Sequence, residues 1–287
     1  MKKQFIVGFV AGSVLFGSIG AFASNFTVVP NTFPVVMNGD AISMEGYNMK
    51  GNTYFKLRDI ADKIGGFDVD FKNNTIIVET EKKEKLAGEL LYQGHASFRL
   101  TTNHGKVIYI DPYAGEGYEE EADLILVTHQ HPDHNKIDLP AKIDNCIIWQ
   151  NFDALIDGEY KTMSFDNVSV EAVQAYNENH PIDQCVGYIV TIDGVSMYFA
   201  GDTSTTEQMA SLAEKNLDYA FLPMDGKFNM DIEEAIKCAE VIKAKHTIPI
   251  HMSPGSLFNK ERAELFKTDT AMIVANDTVI ELIEEEK

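Results

Sequence analysis

Leu124-Ile125-Leu126-Val127-Thr128-His129-Gln130-His131-Pro132-Asp133-His134 is the stretch on which the fold of this chain turns. Its first four residues form an unbroken apolar run, the pattern of a buried strand, and the polar cluster falls in the loop at that strand's C-terminal end. Three imidazoles and a carboxylate in one loop would cost kilocalories to bury without partners. His129 and His131 are two apart, so an extended loop projects both rings the same way, toward one metal. Asp133 and His134 follow at once and can turn toward a second. Weighed against a chance cluster on a surface loop, metal binding is the stronger reading.

One loop cannot complete two coordination spheres. Val168, Val170 and Ala172 alternate, and Val173-Gln174-Ala175 leads into a polar loop that ends at His180-Pro181. Val195-Ser196-Met197-Tyr198-Phe199-Ala200 is a second strand-like run and ends in Gly201-Asp202-Thr203; Thr247-Ile248-Pro249-Ile250 is a third and ends in His251-Met252-Ser253. Each ligand candidate therefore lies just past the C-terminal end of an apolar strand, where open α/β architectures gather their ligands. Singly, His180 or His251 reads as a hydrogen-bonded structural histidine, and Asp202 as a turn former after Gly201. Repetition in four strand-end loops shifts the balance toward a shared site.

From about Lys85 to the end, the chain resembles the metallo-β-lactamase fold, with His129-x-His131-x-Asp133-His134 as its signature. Within that fold it is most similar to the L-ascorbate-6-phosphate lactonase-like branch. The residues that carry this likeness are Gly94-His95-Ala96-Ser97-Phe98, Ile110-Asp111-Pro112-Tyr113, Ala175-Tyr176-Asn177 with His180-Pro181, Gly187-Tyr188, Tyr198 to Thr203 and Ile248 to His251. The resemblance implies an αββα sandwich and two metal sites. His129, His131 and His180 would hold the first ion, Asp133, His134 and His251 the second, and Asp202 would bridge them. Histidine and carboxylate ligands without thiolate suit Zn²⁺, and also Mn²⁺ or Fe²⁺. Two such ions can share a water and lower its pKa toward 7, giving a hydroxide that attacks an ester, lactone or phosphate centre. Asp133 is the candidate for orienting that nucleophile or carrying its proton.

Other residues in these motifs have plainer readings beside functional ones. His95, apparently among strand residues, reads as a structural hydrogen-bonding group. Asp111 can support a ligand histidine from behind or simply end its strand. Tyr176 and Asn177 open the loop that carries His180, so they can contact substrate or close the loop. Asp225-Gly226, after Phe221-Leu222-Pro223-Met224, reads as a turn. Thr206 to Lys215, Asp231 to Lys245 and Asn259 to Lys267 read as helices, with Asp231 a first-turn acid. Cys146, Cys185 and Cys238 show no metal spacing; one disulfide is conceivable in an exported chain, and service as small hydrophobes is the default.

The front of the chain has a different character. Lys2 and Lys3 precede an apolar stretch from Phe5 to Phe22 that ends in Ala21-Phe22-Ala23, the pattern of a secretory signal peptide over residues 1–23. An uncleaved anchor is the competing reading, weakened by four glycines in the run. Residues 25–82 read as a small α+β unit: a strand at Val35, a strand and helix over Thr53 to Gly66, and a hairpin over Phe67 to Val78 that turns at Asn73-Asn74. On Asn38-Gly39, Tyr54 and Leu57-Arg58-Asp59, this segment resembles the copper amine oxidase N-terminal-like domain. It carries no histidine or cysteine, so that likeness implies no copper site and suggests wall attachment only by analogy. Glu81-Lys82-Lys83-Glu84 reads as a linker to the hydrolase unit, 85–287.

A formal charge of −20 lacks the footprint of a nucleic-acid binder. The expectation is thus an exported binuclear metallohydrolase acting on a small-molecule ester, lactone or phosphodiester. Phosphodiesterase-like action on N-acyl phospholipids, and a non-catalytic metal-binding surface protein, are the alternatives.

Overall fold

The computed structural model describes residues 27–37, 40–72, 75–80 and 85–284. The expected leader, the Asn38-Gly39 and Asn73-Asn74 turns, the Glu81–Glu84 linker and the last three residues lie outside them. The chain divides into two compact units, Met1–Lys83 and Glu84–Lys287.

Within the first unit, Val28–Pro30, Gly46–Met49 and Asn52–Phe55 form a three-stranded sheet, and Val35–Met37 with Asp40–Ile42 and Phe67–Lys72 with Thr75–Thr80 form antiparallel pairs. The helix Leu57–Ile64 stops at Gly65, whose φ of 72° favours a residue without Cβ. Among this unit's described hydrophobic side chains only Ala61 is fully buried, while Phe33, Val36 and Phe71 are exposed.

Twelve strands of the second unit build two six-stranded sheets. In chain order they are β1 (Lys85–Gly94), β2 (Ser97–Thr102), β3 (Val107–Ile110), β4 (Ala122–Val127), β5 (Lys142–Gln150), β6 (Thr162–Phe165), β7 (Val168–Gln174), β8 (Val186–Ile192), β9 (Val195–Phe199), β10 (Tyr219–Pro223), β11 (His246–Ile250) and β12 (Thr278–Glu284). The first sheet has the order β5-β4-β3-β2-β1-β12 and the second β6-β7-β8-β9-β10-β11. Leu90, Phe98, Ile108 and Leu124 of the first sheet share one core with Val170, Tyr188, Phe199 and Phe221 of the second. That shared core is the ββ centre of a metallo-β-lactamase-type sandwich. The 124–127 run of β4 is apolar because both its faces are covered: Leu124 and Leu126 face the central core, Ile125 and Val127 an outer one.

The outer layers are unequal. Helix α1 (Ile232–Ile242) packs Ala235, Cys238, Ala239 and Ile242 on the outside of the second sheet. On the first sheet's outer face, Tyr118 and Ile137, from irregular chain before and after β4, do that work. Asp231 is the N-cap of α1, its carboxylate accepting from Glu234 N, one position before the first turn where the sequence placed it. The expected helix over Thr206–Lys215 is a single turn, Met209–Leu212, followed by 3₁₀ residues Ala213–Lys215, and that over Asn259–Lys267 is Lys260–Ala263 capped by Asn259. These segments are too short for helix propagation to offset nucleation, so packing sets their extent.

Strand direction positions the site. β3, β4 and β5 run parallel, and β1, antiparallel to β2, shares their direction. In the second sheet β9, β10 and β11 are parallel and β7 shares their direction. Loops leaving the C-terminal ends of β1, β3, β4, β7, β9, β10 and β11 supply every residue of the cluster described next.

Candidate metal centre

The seven residues that the resemblance assigned to the metal sites converge, and His95 joins them. His129, His131 and His180 make one set of ligand atoms and His95, Asp133, His134 and His251 a second; Asp202 joins His129 and His134 in a third overlapping set. His129 Nε2 lies 3.1 Å and His180 Nε2 3.2 Å from His131 Nδ1. Nitrogens bound at about 2.0–2.1 Å in a tetrahedron stand roughly 3.3–3.4 Å apart, so this triad is close to the spacing an ion needs. Asp202 reaches both groups: its Oδ2 is 3.3 Å from His180 Nε2 and 3.6 Å from His251 Nε2, and its Oδ1 is 3.3 Å from His134 Nε2.

The surroundings fix which nitrogen faces inward. Asp111 Oδ2 accepts from His134 Nδ1 (2.8 Å) and from Thr128 Oγ1 (2.7 Å), while Oδ1 accepts from Thr128 N. Thr128 Oγ1, having given its proton to Asp111, accepts from His129 Nδ1 at 3.0 Å. Asn177 Oδ1 accepts from His180 Nδ1 at 2.9 Å. His251 Nδ1 sits 3.0 Å from Asp225 Oδ2, at ion-pair distance but off the line of a good hydrogen bond. In His134, His129 and His180 an outer acceptor holds Nδ1, in His251 a carboxylate lies against it, and in all four Nε2 is left for the centre, the usual arrangement behind metal-ligating histidines. His131, exposed, is the exception and turns Nδ1 inward.

Fit to cations rests on atoms that otherwise have no partner. His134 Nε2, His251 Nε2 and Asp202 Oδ1 are buried and near one another, yet none makes a hydrogen bond. Buried polar atoms are rarely left so, and this donor set of imidazoles and carboxylates suits divalent cations. Three cluster residues also hold left-handed backbone: His95 (φ 58°), Asp111 (φ 45°) and His251 (φ 42°). Such conformations concentrate at functional sites, where the surrounding structure enforces them. Before Asp202, Gly201 holds left-handed backbone (φ 63°), and a Cβ there would crowd Thr128 Cβ at 3.0 Å.

Charge in the metal-free cluster is strongly coupled. Burial, reinforced by the neighbouring His134, drives the His129 pKa down. For His134 burial also favours the neutral ring, but Asp202 and Asp111 outweigh it and raise the pKa to about 9. Burial would lift the Asp202 carboxyl, yet His134 and His251 hold it far below its ordinary range. Asp133, partly exposed, stays ionised despite burial because His95 Nε2 lies 3.2 Å from its Oδ2.

Several placements refine the sequence reading. His95 lies in the β1–β2 turn, not within a strand, and its ring joins the second group beside Asp133. Asp111 supports two cluster histidines. Asn177, a substrate-contact candidate, has its carbonyl engaged by His180 and its amide donated to Phe228 O (2.8 Å), so both ends brace the site. Tyr176 is half-buried, with its backbone tied to Thr203 and Ser204. Asp225 is the residue sequence reasoning missed. It does make a turn, accepting from Lys227 N and Phe228 N, but it also backs His251. Its position just past a buried apolar strand, as for Asp111, was the available signal. The three cysteines are free.

Two small clefts open onto the cluster. One, about 310 Å³, is lined by His131, Asp133, Asn179, His180, Asp202, Phe228 and His251. The other, about 250 Å³, runs past His129, His131 and His180 to Gln130, Asn151, Gln184 and Cys185.

Residues 89–251 match the β-lactamase superfamily domain. The chain belongs to the metallo-β-lactamase superfamily. Two curated relatives are a UPF0173 metal-dependent hydrolase of Thermococcus onnurineus, 33% identical over 56% of this chain and 82% of its own, and one of Thermococcus kodakarensis, 36% identical over the same shares. The chain therefore sits among the UPF0173 metal-dependent hydrolases of that superfamily. A solved structure of similar fold is Igni18, a metallo hydrolase from Ignicoccus hospitalis, with TM-score 0.51 and 20% identity, covering 67% of this chain and 97% of that one.

Proposed function

We propose that this superfamily member is an exported, binuclear hydrolase that cleaves a small ester, lactone or phosphodiester. The observation that carries the binuclear reading is Asp202, whose buried carboxylate lies 3.3 Å from His180 Nε2 of one histidine group and 3.3 Å from His134 Nε2 of the other. His129, His131 and His180 would hold one cation, and Asp133, His134 and His251 the other, with Asp202 between them. Divalent cations so held, with Zn²⁺ favoured and Mn²⁺ or Fe²⁺ compatible, supply Lewis acidity and lower the pKa of water toward 7. The chain's own residues do the rest. Asp111, Thr128, Asn177 and Asp225 fix the imidazole tautomers. Asp133, at 38% side-chain exposure and 3.2 Å from His95 Nε2, would take a proton from the attacking water and pass it to the departing group.

The lactonase-like sequence likeness favours a lactone or ester, and the acidic surface disfavours nucleic acid. Export rests on the charged and apolar start of the chain, and wall association on the likeness of residues 25–82 to an exported bacterial module. Among the described residues no helix is long and apolar enough to cross a membrane.

The test is metal content per purified full chain, read with hydrolysis of a panel of lactones, esters and phosphodiesters before and after chelation. Two ions per chain and turnover that chelation abolishes and added metal restores are expected. His131→Ala should reduce turnover at least 100-fold, the order of loss that follows removal of a ligand or its support. Unchanged turnover in that variant would overturn the site.

A further inference from the structure

Phe228 is the only large apolar side chain on the wall of the 310 Å³ cleft, and it is 38% exposed. A singly exposed aromatic ring is ordinary on a protein surface; this one stands out because it borders the cluster, where the apolar part of a ligand in the cleft can cover it. Its placement is not loose. Phe228 N donates to Asp225 Oδ1 at 2.7 Å, and Phe228 O accepts from Asn177 Nδ2 at 2.8 Å and Asn179 Nδ2 at 3.4 Å. Asp225 and Asn177 are also the residues behind His251 and His180. The backbone carrying the ring is thus pinned to supports of both metal groups. Lys227 Nζ stands 4.5 Å from the ring centroid and shields part of it.

We propose that Phe228 forms an apolar subsite for the group next to the scissile bond, so that the preferred substrate carries a compact alkyl or aromatic substituent beside its ester or lactone carbonyl. This deepens the hydrolase reading and rests on it for the word substrate, but the subsite can be tested without turnover. A cleft of about 310 Å³ lies at the small end of the range for ligand pockets, about 300–1,000 Å³. A phenyl ring or short alkyl chain fits that space, whereas the long chains of an N-acyl phospholipid do not. The polar side chains lining the rest of the cleft leave Phe228 as the surface on which an apolar group is removed from water.

The experiment is calorimetric binding of acetate, butyrate and phenylacetate to the full chain reconstituted with zinc, in wild type, Phe228→Ala and Phe228→Leu. These carboxylates resemble the acid released by hydrolysis and differ only in the apolar group. Wild type should bind phenylacetate on the order of tenfold more tightly than acetate, the scale of discrimination a small apolar contact gives. Phe228→Ala should lose that preference at unchanged zinc content, because the backbone bonds to Asp225 and Asn177 remain, and Phe228→Leu should keep most of it. Equal preference in wild type and Phe228→Ala, no preference in wild type, or no binding at all would each overturn the subsite. Loss of zinc in both variants would overturn it too, since the ring would then be a support of the cluster. Failure of the hydrolysis panel alone would count against the proposed reaction and leave the binding result to stand.

Discussion

Asp111 lies just past β3 in the first sheet and Asp225 just past β10 in the second, and each sets a carboxylate oxygen against Nδ1 of a cluster histidine. Their loads differ. Asp111 takes an aligned hydrogen bond from His134 and, through Thr128, also fixes His129. One carboxylate therefore orients a histidine in each metal group. Asp225 meets only His251, off the hydrogen-bond line, and directs its remaining capacity to Lys227 N, Phe228 N and Asn229 Nδ2 of its own loop. The first aspartate serves one histidine in each group, while the second serves one ligand and the wall of the cleft.

That difference predicts unequal damage. Asp111→Asn keeps the shape but replaces one acceptor oxygen with a donor, so it cannot accept from Thr128 N, Thr128 Oγ1 and His134 Nδ1 together. Zinc affinity should fall about 10–100-fold at each of the two ions, since outer partners of metal ligands are each worth about that much. Chelator competition on the full chain measures this, with circular dichroism confirming the fold. If only one of two binding steps weakens, the idea that Asp111 serves both groups is wrong.

A smaller, one-sided effect is expected from Asp225→Asn. One zinc step should weaken about tenfold and the other should hold, because no bond from Asp225 reaches the His129, His131 and His180 triad directly. Equal losses at both steps would mean that the loop, through Phe228 and Asn177, transmits the change to His180, and the contrast between the two aspartates would collapse.

The two aspartates also mark what the sequence could say. The 124–127 run and the strands before Asp202 and His251 are legible because strands buried on both faces are mostly apolar, and the strand before His180 because it alternates; ligands after such strands stand out against them. Asp111 could be read as a histidine support because it sits in the same context. Asp225 has that context too, but Asp-Gly is also a common turn, and here it is both turn and support, which a local reading cannot separate. Asn177 lay in the right loop for substrate contact, yet which way an amide points depends on Phe228, 51 residues away. The covering of the first sheet by irregular chain has no periodicity to reveal it. The one-turn helices at Met209 and Lys260 are defined by packing that propensity does not encode.

The finest distinction concerns protons. In metal-free protein burial favours neutral His134, but Asp202 and Asp111 raise its pKa to about 9. A histidine pKa raised above its ordinary value of about 6.5 adds stability that is complete below that pH and is lost as pH rises through the folded value. Thermal melts of chelated protein should therefore drop by about 5 °C between pH 7 and pH 10, relative to zinc-loaded protein measured alongside. The zinc-loaded form lacks this dependence because a ligating imidazole is already deprotonated. Asp111→Asn removes one of the two carboxylates that retain the proton, so its chelated form should show a shallower pH dependence, whereas Asp225→Asn, with no contact to His134, should keep the full drop. Parallel curves for the two variants would show that Asp202 alone sets the proton on His134, and would confine the role of Asp111 to orientation.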